Sequence, residues 1–208
     1  MNEKILSLAK RFRGYFPIIV DVETGGFDPK KHALLEIAAV TLEMDGEGFL
    51  KPKNTYFYAI NPFEGAQLDP SSMAFTGIIP DHPFRMAVDE KKALKELFTQ
   101  LKTEMKEASC KRCVLVGHNA AFDLSFINAV CERQHLKSAF HPFTTFDTAA
   151  LSALAVGETV LANALAAAQL DFDTQQAHSA LYDAERTAEL FCFIVNRWQQ
   201  LGGWRHSG

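Results

Sequence analysis

The sequence predicts an α/β fold: a mixed five-stranded sheet, three antiparallel strands followed by two parallel ones, with helices on both faces. Three observations predict it. Three apolar segments rich in β-branched and aromatic residues come first, joined by short turns. Helical periodicity begins only later, at Leu94. Strand-like and helical segments then alternate, giving the order βββαβαβα, which calls for a mixed sheet with helices packed on it.

Residues 15–23 are apolar and β-branched and read as a buried strand, broken by Thr24-Gly25-Gly26. Residues 33–44 form a second strand, with Glu36 a polar residue in an apolar stretch, and Asp45-Gly46-Glu47-Gly48 is a turn. Residues 56–60 are an aromatic-rich third strand. Short connections make these three an antiparallel meander. Residues 61–85 hold four of the eight prolines and read as a functional flap rather than a domain boundary.

Leu94, Leu97, Phe98, Leu101 and Met105 recur at helical spacing. Residues 113–117 are a short apolar strand, 122–134 a helix, and 143–146 a fifth strand. Asp147-Thr148 opens another helix as an N-cap, and residues 159–169 are helical by their Ala and Leu content. A last helix begins near Ser179, carries Leu181, Ala184, Ala188, Phe191, Val195 and Trp198 on one face, and ends at Gly202-Gly203. With no repeat and no Pro/Ser-rich linker, residues 1–208 read as a single domain.

Composition bounds the function. The chain has 208 residues, 48% hydrophobic and 22% charged, as in an ordinary globular protein. No apolar run reads as the roughly 20 residues of a membrane span, and residues 1–13 lack the pattern of a signal peptide. The expected compartment is the cytoplasm. Cys131 and Cys192 read as buried thiols, and Cys110-Lys111-Arg112-Cys113, with no second pair, reads as structural. The net charge of −4 requires a local basic patch in any nucleic-acid binder. Basic residues do cluster, at Lys10, Arg11 and Arg13, at Lys102, Lys106, Lys111 and Arg112, and at Arg133 and Lys137.

Three elements carry chemistry. Asp21 and Glu23 close the first strand and, two residues apart, face the same side, with Val22 turned into the core. Such carboxylates repel unless a cation neutralises them, although alone they are also compatible with two solvated acids. His118-Asn119-Ala120-Ala121-Phe122-Asp123 joins a strand to a helix, where open α/β sheets bind ligands. Asp123 would lie in the first helical turn, where the macrodipole favours an anion. His178-Ser179-Ala180-Leu181-Tyr182-Asp183 has a spacing of five, which puts two side chains about 140° apart on a helix. They share a site only if His178 lies in the preceding loop, where it would also be an ordinary exposed histidine. Four acids converging on one place require metal, and two divalent ions would make the site a clamp for phosphoryl chemistry. Asp147 is a fifth acid near a strand end, read as a helix cap.

Together with Val20-Asp21-Val22-Glu23-Thr24-Gly25-Gly26, these segments resemble the three motifs of the DEDDh 3′→5′ exonuclease superfamily, over about residues 17–195. Within it the chain is most similar to the ribonuclease T family. Arg11-Phe12-Arg13-Gly14, Phe140-His141-Pro142-Phe143, Thr145-Phe146-Asp147-Thr148-Ala149-Ala150, Asn196-Arg197-Trp198 and Leu201-Gly202-Gly203-Trp204 carry that similarity. The resemblance implies a ribonuclease H-like fold and a 3′→5′ exoribonuclease that trims tRNA, rRNA and other stable RNAs, releasing nucleoside 5′-monophosphates. It implies two Mg²⁺ ions held by Asp21, Glu23, Asp123 and Asp183, with Mn²⁺ able to substitute, and His178 as the base. It implies a homodimer in which basic residues of one subunit, Arg11, Arg13, Lys106, Arg112 and Lys137, feed the other's active site. Phe27, Phe75, Phe122 and Phe143 match positions that stack terminal bases, a contact contributing about 1–3 kcal/mol per base. Ser71 stands where the ribonuclease T pattern has a glutamate, which bears on terminal-base discrimination. A DNA proofreading or repair exonuclease, acting on single-stranded DNA, and a non-catalytic nucleic-acid-binding module on the same fold are the alternatives.

Overall fold

A computed structural model describes residues 7–203, so Trp204 and residues 1–6 of the N-terminal segment read above lie outside the described residues. A short helix, α1 (Leu8–Arg11), precedes three strands, β1 (Tyr15–Thr24), β2 (Leu34–Met44) and β3 (Leu50–Ala59). Then come α2 (Pro70–Thr76), a 3₁₀ turn (Pro83–Arg85), α3 (Glu90–Glu107), β4 (Arg112–Gly117) and α4 (Ala121–Arg133). The chain finishes with β5 (Phe140–Asp147), α5 (Thr148–Val156), α6 (Leu161–Ala167) and α7 (Ala180–Gln200). The strand order is β3-β2-β1-β4-β5. The first three strands are antiparallel, and β4 and β5 run parallel to β1. This is the predicted mixed sheet.

Connection length explains the two halves. The β2–β3 turn is tied by the Asp45 carboxylate, which accepts the N–H groups of Glu47 at 2.8 Å and Phe49 at 2.9 Å. A parallel neighbour needs a crossover instead, and α3 and α4 provide those leading into β4 and β5. β1 is central and fully covered, with Phe16, Ile18, Ile19 and Val20 all buried, which is why it reads as a continuous apolar run.

Register assigns the faces. Ile18 pairs with Thr41 and Val20 with Ala39, and Ala39 pairs with Tyr56. That face meets α3: Thr41 Oγ1 donates to Glu104 at 2.9 Å, and Tyr56 bonds the same carboxylate. α4 is clamped to α3 by the Arg133–Glu90 ion pair at 2.6 Å. The opposite face carries Ile19, Asp21 and Glu23, and α7 lies over it, with Thr55 Oγ1 donating to Glu185 at 3.3 Å. Helices therefore cover both faces, as expected.

Several boundaries differ from the sequence reading. β3 begins at Leu50 rather than residue 56. Its first half, Lys51-Pro52-Lys53-Asn54-Thr55, is exposed and lacks alternation. It is an edge strand, where lysine and proline discourage further pairing. The flap holds α2, invisible to periodicity because none of its residues is buried. The apolar stretch Thr148–Ala167 does have the length and composition of a membrane span, against the sequence reading. The fold breaks it at Gly157 (φ 79°) and packs both pieces, α5 and α6, against α7. All four cysteines are buried and free. Burial pushes the Cys110 thiol up to about 11 and that of Cys113 to about 12, as suits inert packing groups.

Candidate active site

The site forms where the sheet runs out. β4 pairs with β1 only as far as Ile19↔Val116, so the end of β1 has no strand on that side. The freed Val22 N–H donates to Asp123 Oδ1 at 3.1 Å. Asp123 stands in the first turn of α4, nearly buried. On the face under α7, Asp21 and Glu23 meet Asp183 from the first turn of that helix. One carboxylate oxygen from each of the three lies within 4.8 Å of the others. The four predicted acids thus converge as three in a tight group and Asp123 beside them, partly committed to the β1 backbone.

Burial of so many acids is unfavourable in their charged forms. The carboxyl of Asp21 is raised well above the ordinary range, by burial first and then by Asp123, Glu23, Asp183 and Glu36. Glu23 is raised to about 8, by burial, then Asp183 and Glu36. Asp123 and Asp183 are raised mainly by burial, opposed by the N–H groups they accept. Asp183 Oδ2 accepts the His178 N–H at 3.0 Å, whereas its Oδ1 is buried with no hydrogen-bond partner. A bare oxygen facing other carboxylates is what a hard divalent cation requires.

This predicts a pH-dependent stability. Glu23 holds its proton more tightly folded than unfolded, so its contribution is complete below about pH 4.5 and is lost as pH rises towards 8. Without divalent ions, Tm is expected to fall by on the order of 10 °C between pH 5 and 8. An added divalent cation that binds the ionised carboxylates is expected to restore it at pH 8 and to have little effect at pH 5. Melting curves with and without chelator check this; a flat profile would mean that Glu23 ionises in its ordinary range.

His178 lies in the loop before α7, as its spacing demanded, with φ 67° and its side chain exposed. Its ring packs on Phe75 at 3.9 Å between centroids. Phe27 (78% exposed) follows Gly25-Gly26 after β1, and its ring faces Phe122 of α4 at 6.3 Å. Close packing explains one glycine: a Cβ on Gly26, itself at φ 155°, would meet the His32 ring at 2.4 Å. Phe27, Phe75 and Phe122 therefore rim the acids. Phe143 is set apart. It lies on β5 before Thr145, which pairs through Leu115 to the level of Ile18, and its exposed ring packs edge-on to His141 at 4.6 Å. Ser71 is on exposed α2 and hydrogen-bonds Asp69, the N-cap of that helix.

The basic residues lie elsewhere. Arg112 pairs with Tyr15 at the opposite end of β1 from the acids. Exposed Arg13 and Lys106 are on the adjoining segments, and exposed Lys137 precedes β5 there. Arg11 departs from expectation: it is 6% exposed, and its guanidinium donates to the Val195 carbonyl at 3.2 Å. Its place on α1 turns it into the α7 packing and away from the exposed cluster of Arg13, Lys106, Arg112 and Lys137. One acid was missed as a site neighbour. Glu36 stands opposite Glu23 in the β1–β2 register. Its only sequence signal was an acid in an apolar strand, and the register that matters is a tertiary fact.

The sequence model of the exonuclease family matches residues 18–191. This chain belongs to that exonuclease family. Ribonuclease T of Enterobacter sp. (strain 638) is 55% identical over 204 residues, 98% of this chain and 91% of that protein. Among solved structures, E. coli exonuclease I in complex with a dT13 oligonucleotide superposes with a TM-score of 0.69 at 16% identity. The match covers 90% of this chain and 42% of that one. The nuclease domain of 3′hExo, a DEDDh family member bound to rAMP, gives a TM-score of 0.63 at 21% identity, over 90% and 92% of the two chains. These two likenesses concern the fold. The exonuclease family membership fits a group of converging acids at the end of a mixed sheet.

Proposed function

We propose that this chain is a 3′→5′ exoribonuclease that trims the 3′ ends of tRNA, rRNA and other stable RNAs in the cytoplasm, releasing nucleoside 5′-monophosphates. The observation that carries this reading is the convergence of Asp21, Glu23 and Asp183 within 4.8 Å, with Asp123 beside them. The relative named ribonuclease T supports RNA as substrate.

The donor set fits divalent cations: all-oxygen, acidic, and including the unpartnered Asp183 Oδ1. Asp21, Glu23, Asp123 and Asp183 would hold two Mg²⁺ ions, or Mn²⁺ in their place. Two such ions, when bound, lower the pKa of the attacking water and stabilise the charge developing on the leaving 3′ oxygen. His178 takes the proton from that water. Its backbone is fixed to Asp183 while its imidazole hangs beside the acids, and histidine is the side chain suited to proton transfer near neutral pH. Phe27, Phe75 and Phe122 receive the terminal bases by stacking, which requires no particular sequence. Ser71, on the same short helix as Phe75, is the position that bears on terminal-base discrimination.

Six residues separate Tyr15, level with Arg112, from Asp21, about 20 Å along a strand. The patch of Arg13, Lys106, Arg112 and Lys137 thus lies a strand's length from its own site. A homodimer would bring it to the partner's site. An apolar groove of about 650 Å³, with Phe12, Leu151, Leu154, Phe191, Trp198 and Leu201 in its lining, supports such an interface. Leu154 and Leu201 there are 84% and 75% exposed.

A structured RNA with a single-stranded 3′ tail tests the reading, beside a DNA of matched sequence. Expected is Mg²⁺-dependent release of mononucleotides from the RNA 3′ end, faster than from DNA, halting near the duplex. Preferential digestion of the DNA points to a repair or proofreading enzyme, and RNA binding without turnover to a binding module.

A further inference from the structure

Asp147 closes β5 and caps α5, its Oδ1 accepting the Ala149 N–H at 2.9 Å. The same carboxylate reaches a second helix. Oδ1 also accepts the Asn119 N–H at 3.3 Å, and Oδ2 accepts the Ala120 N–H at 3.1 Å. These two residues lead into α4, whose own N-cap, Ala120, supplies no side-chain hydrogen bond. The chain turns sharply there. Asn119 has φ 71°, a left-handed conformation uncommon outside glycine. The turn is also tightly packed: a Cβ on Gly117 would lie 3.1 Å from both the Ala120 Cα and the Asp123 carboxylate. Asp123 follows in the first turn of α4, and its bond to the Val22 N–H depends on where that helix begins.

We propose that Asp147 is a positioning residue for Asp123. By tying the start of α4 to the end of β5, it sets how closely the Asp123 carboxylate approaches Asp21 and Glu23. This inference rests on Asp123 being one of the metal-holding acids. A carboxylate suits the task because both its oxygens accept. Oδ1 serves α5 and Asn119, and Oδ2 serves α4. Asparagine keeps the oxygen that holds two N–H groups, but its amide nitrogen cannot accept from Ala120.

The experiment measures Mn²⁺ binding to the RNA-free protein by calorimetry, beside kcat, KM and Tm, for Asp147→Asn, Asp147→Ala and Asp123→Asn. Supporting residues behind a metal site typically contribute roughly 10–100-fold in affinity or activity. Asp147→Asn is therefore expected to weaken Mn²⁺ binding and lower kcat by about tenfold or more, with KM for RNA unchanged and Tm within a few degrees. Asp147→Ala shows the same losses and also a lower Tm, since α5 loses its cap. Wild-type Mn²⁺ affinity and kcat in Asp147→Asn, or in folded Asp147→Ala, while Asp123→Asn is impaired, would overturn the proposal. Wild-type Mn²⁺ affinity in Asp123→Asn would instead overturn the reading beneath it.

Discussion

Asp21→Asn is expected to abolish nucleotide release, lowering kcat by about three orders of magnitude or more, while raising the Tm of the metal-free protein. Both effects have one cause. Asp21 stands among Asp123, Glu23, Asp183 and Glu36, so without cations its carboxyl destabilises the fold, whether it stays ionised there or takes up a proton to avoid the charge. With cations, the same charge is a ligand, and an amide is a far poorer one for a hard ion. Loss of activity with a gain in metal-free stability is the combination that separates a metal-holding acid from a structural one. The check is single-turnover RNA hydrolysis beside melting in chelator. An Asp21→Asn variant that melts lower than the parent would mean that the carboxylate has a structural partner instead.

His178→Ala is expected to lower kcat by about 10²–10⁴, the range for a positioned general base, with Mn²⁺ affinity and Tm nearly unchanged. The side chain is exposed and packs on Phe75, itself exposed, so little folding free energy depends on it. The contact with Asp183 is made by the His178 backbone N–H and survives the substitution. Full activity in a folded His178→Ala protein would remove this residue from the mechanism.

Much of this site was legible in the sequence because its determinants are local. The two-residue period of a strand put Asp21 and Glu23 on one face, and they meet Asp183 there. The spacing of five between His178 and Asp183 excluded a shared helix face and moved the histidine into a loop, where φ 67° now holds it. The cap residues Asp147 and Gly202 did what their types suggest. Other features depend on segments far apart in the chain. Asp123 turns to the Val22 N–H because β4 stops short, which no window around Asp123 contains. Arg11 was one of several basic residues in sequence, yet α7 buries it. The strand that starts at Leu50 shows no alternation because its edge position leaves it in water.

The sequence by itself determined the order of the five strands, the mixed sheet and the identity of the four candidate acids and the histidine, since periodicity, caps and motif spacing act over a few residues. Only the tertiary structure decided which groups meet: Glu36 opposite Glu23, Asp147 on two helices, Phe143 apart from the other phenylalanines, and the basic patch at the far end of β1. The physical reason is that register and crossover packing are fixed by burial summed over the whole core. Such sums place residues 101 positions apart, as at Val22 and Asp123, within one hydrogen bond.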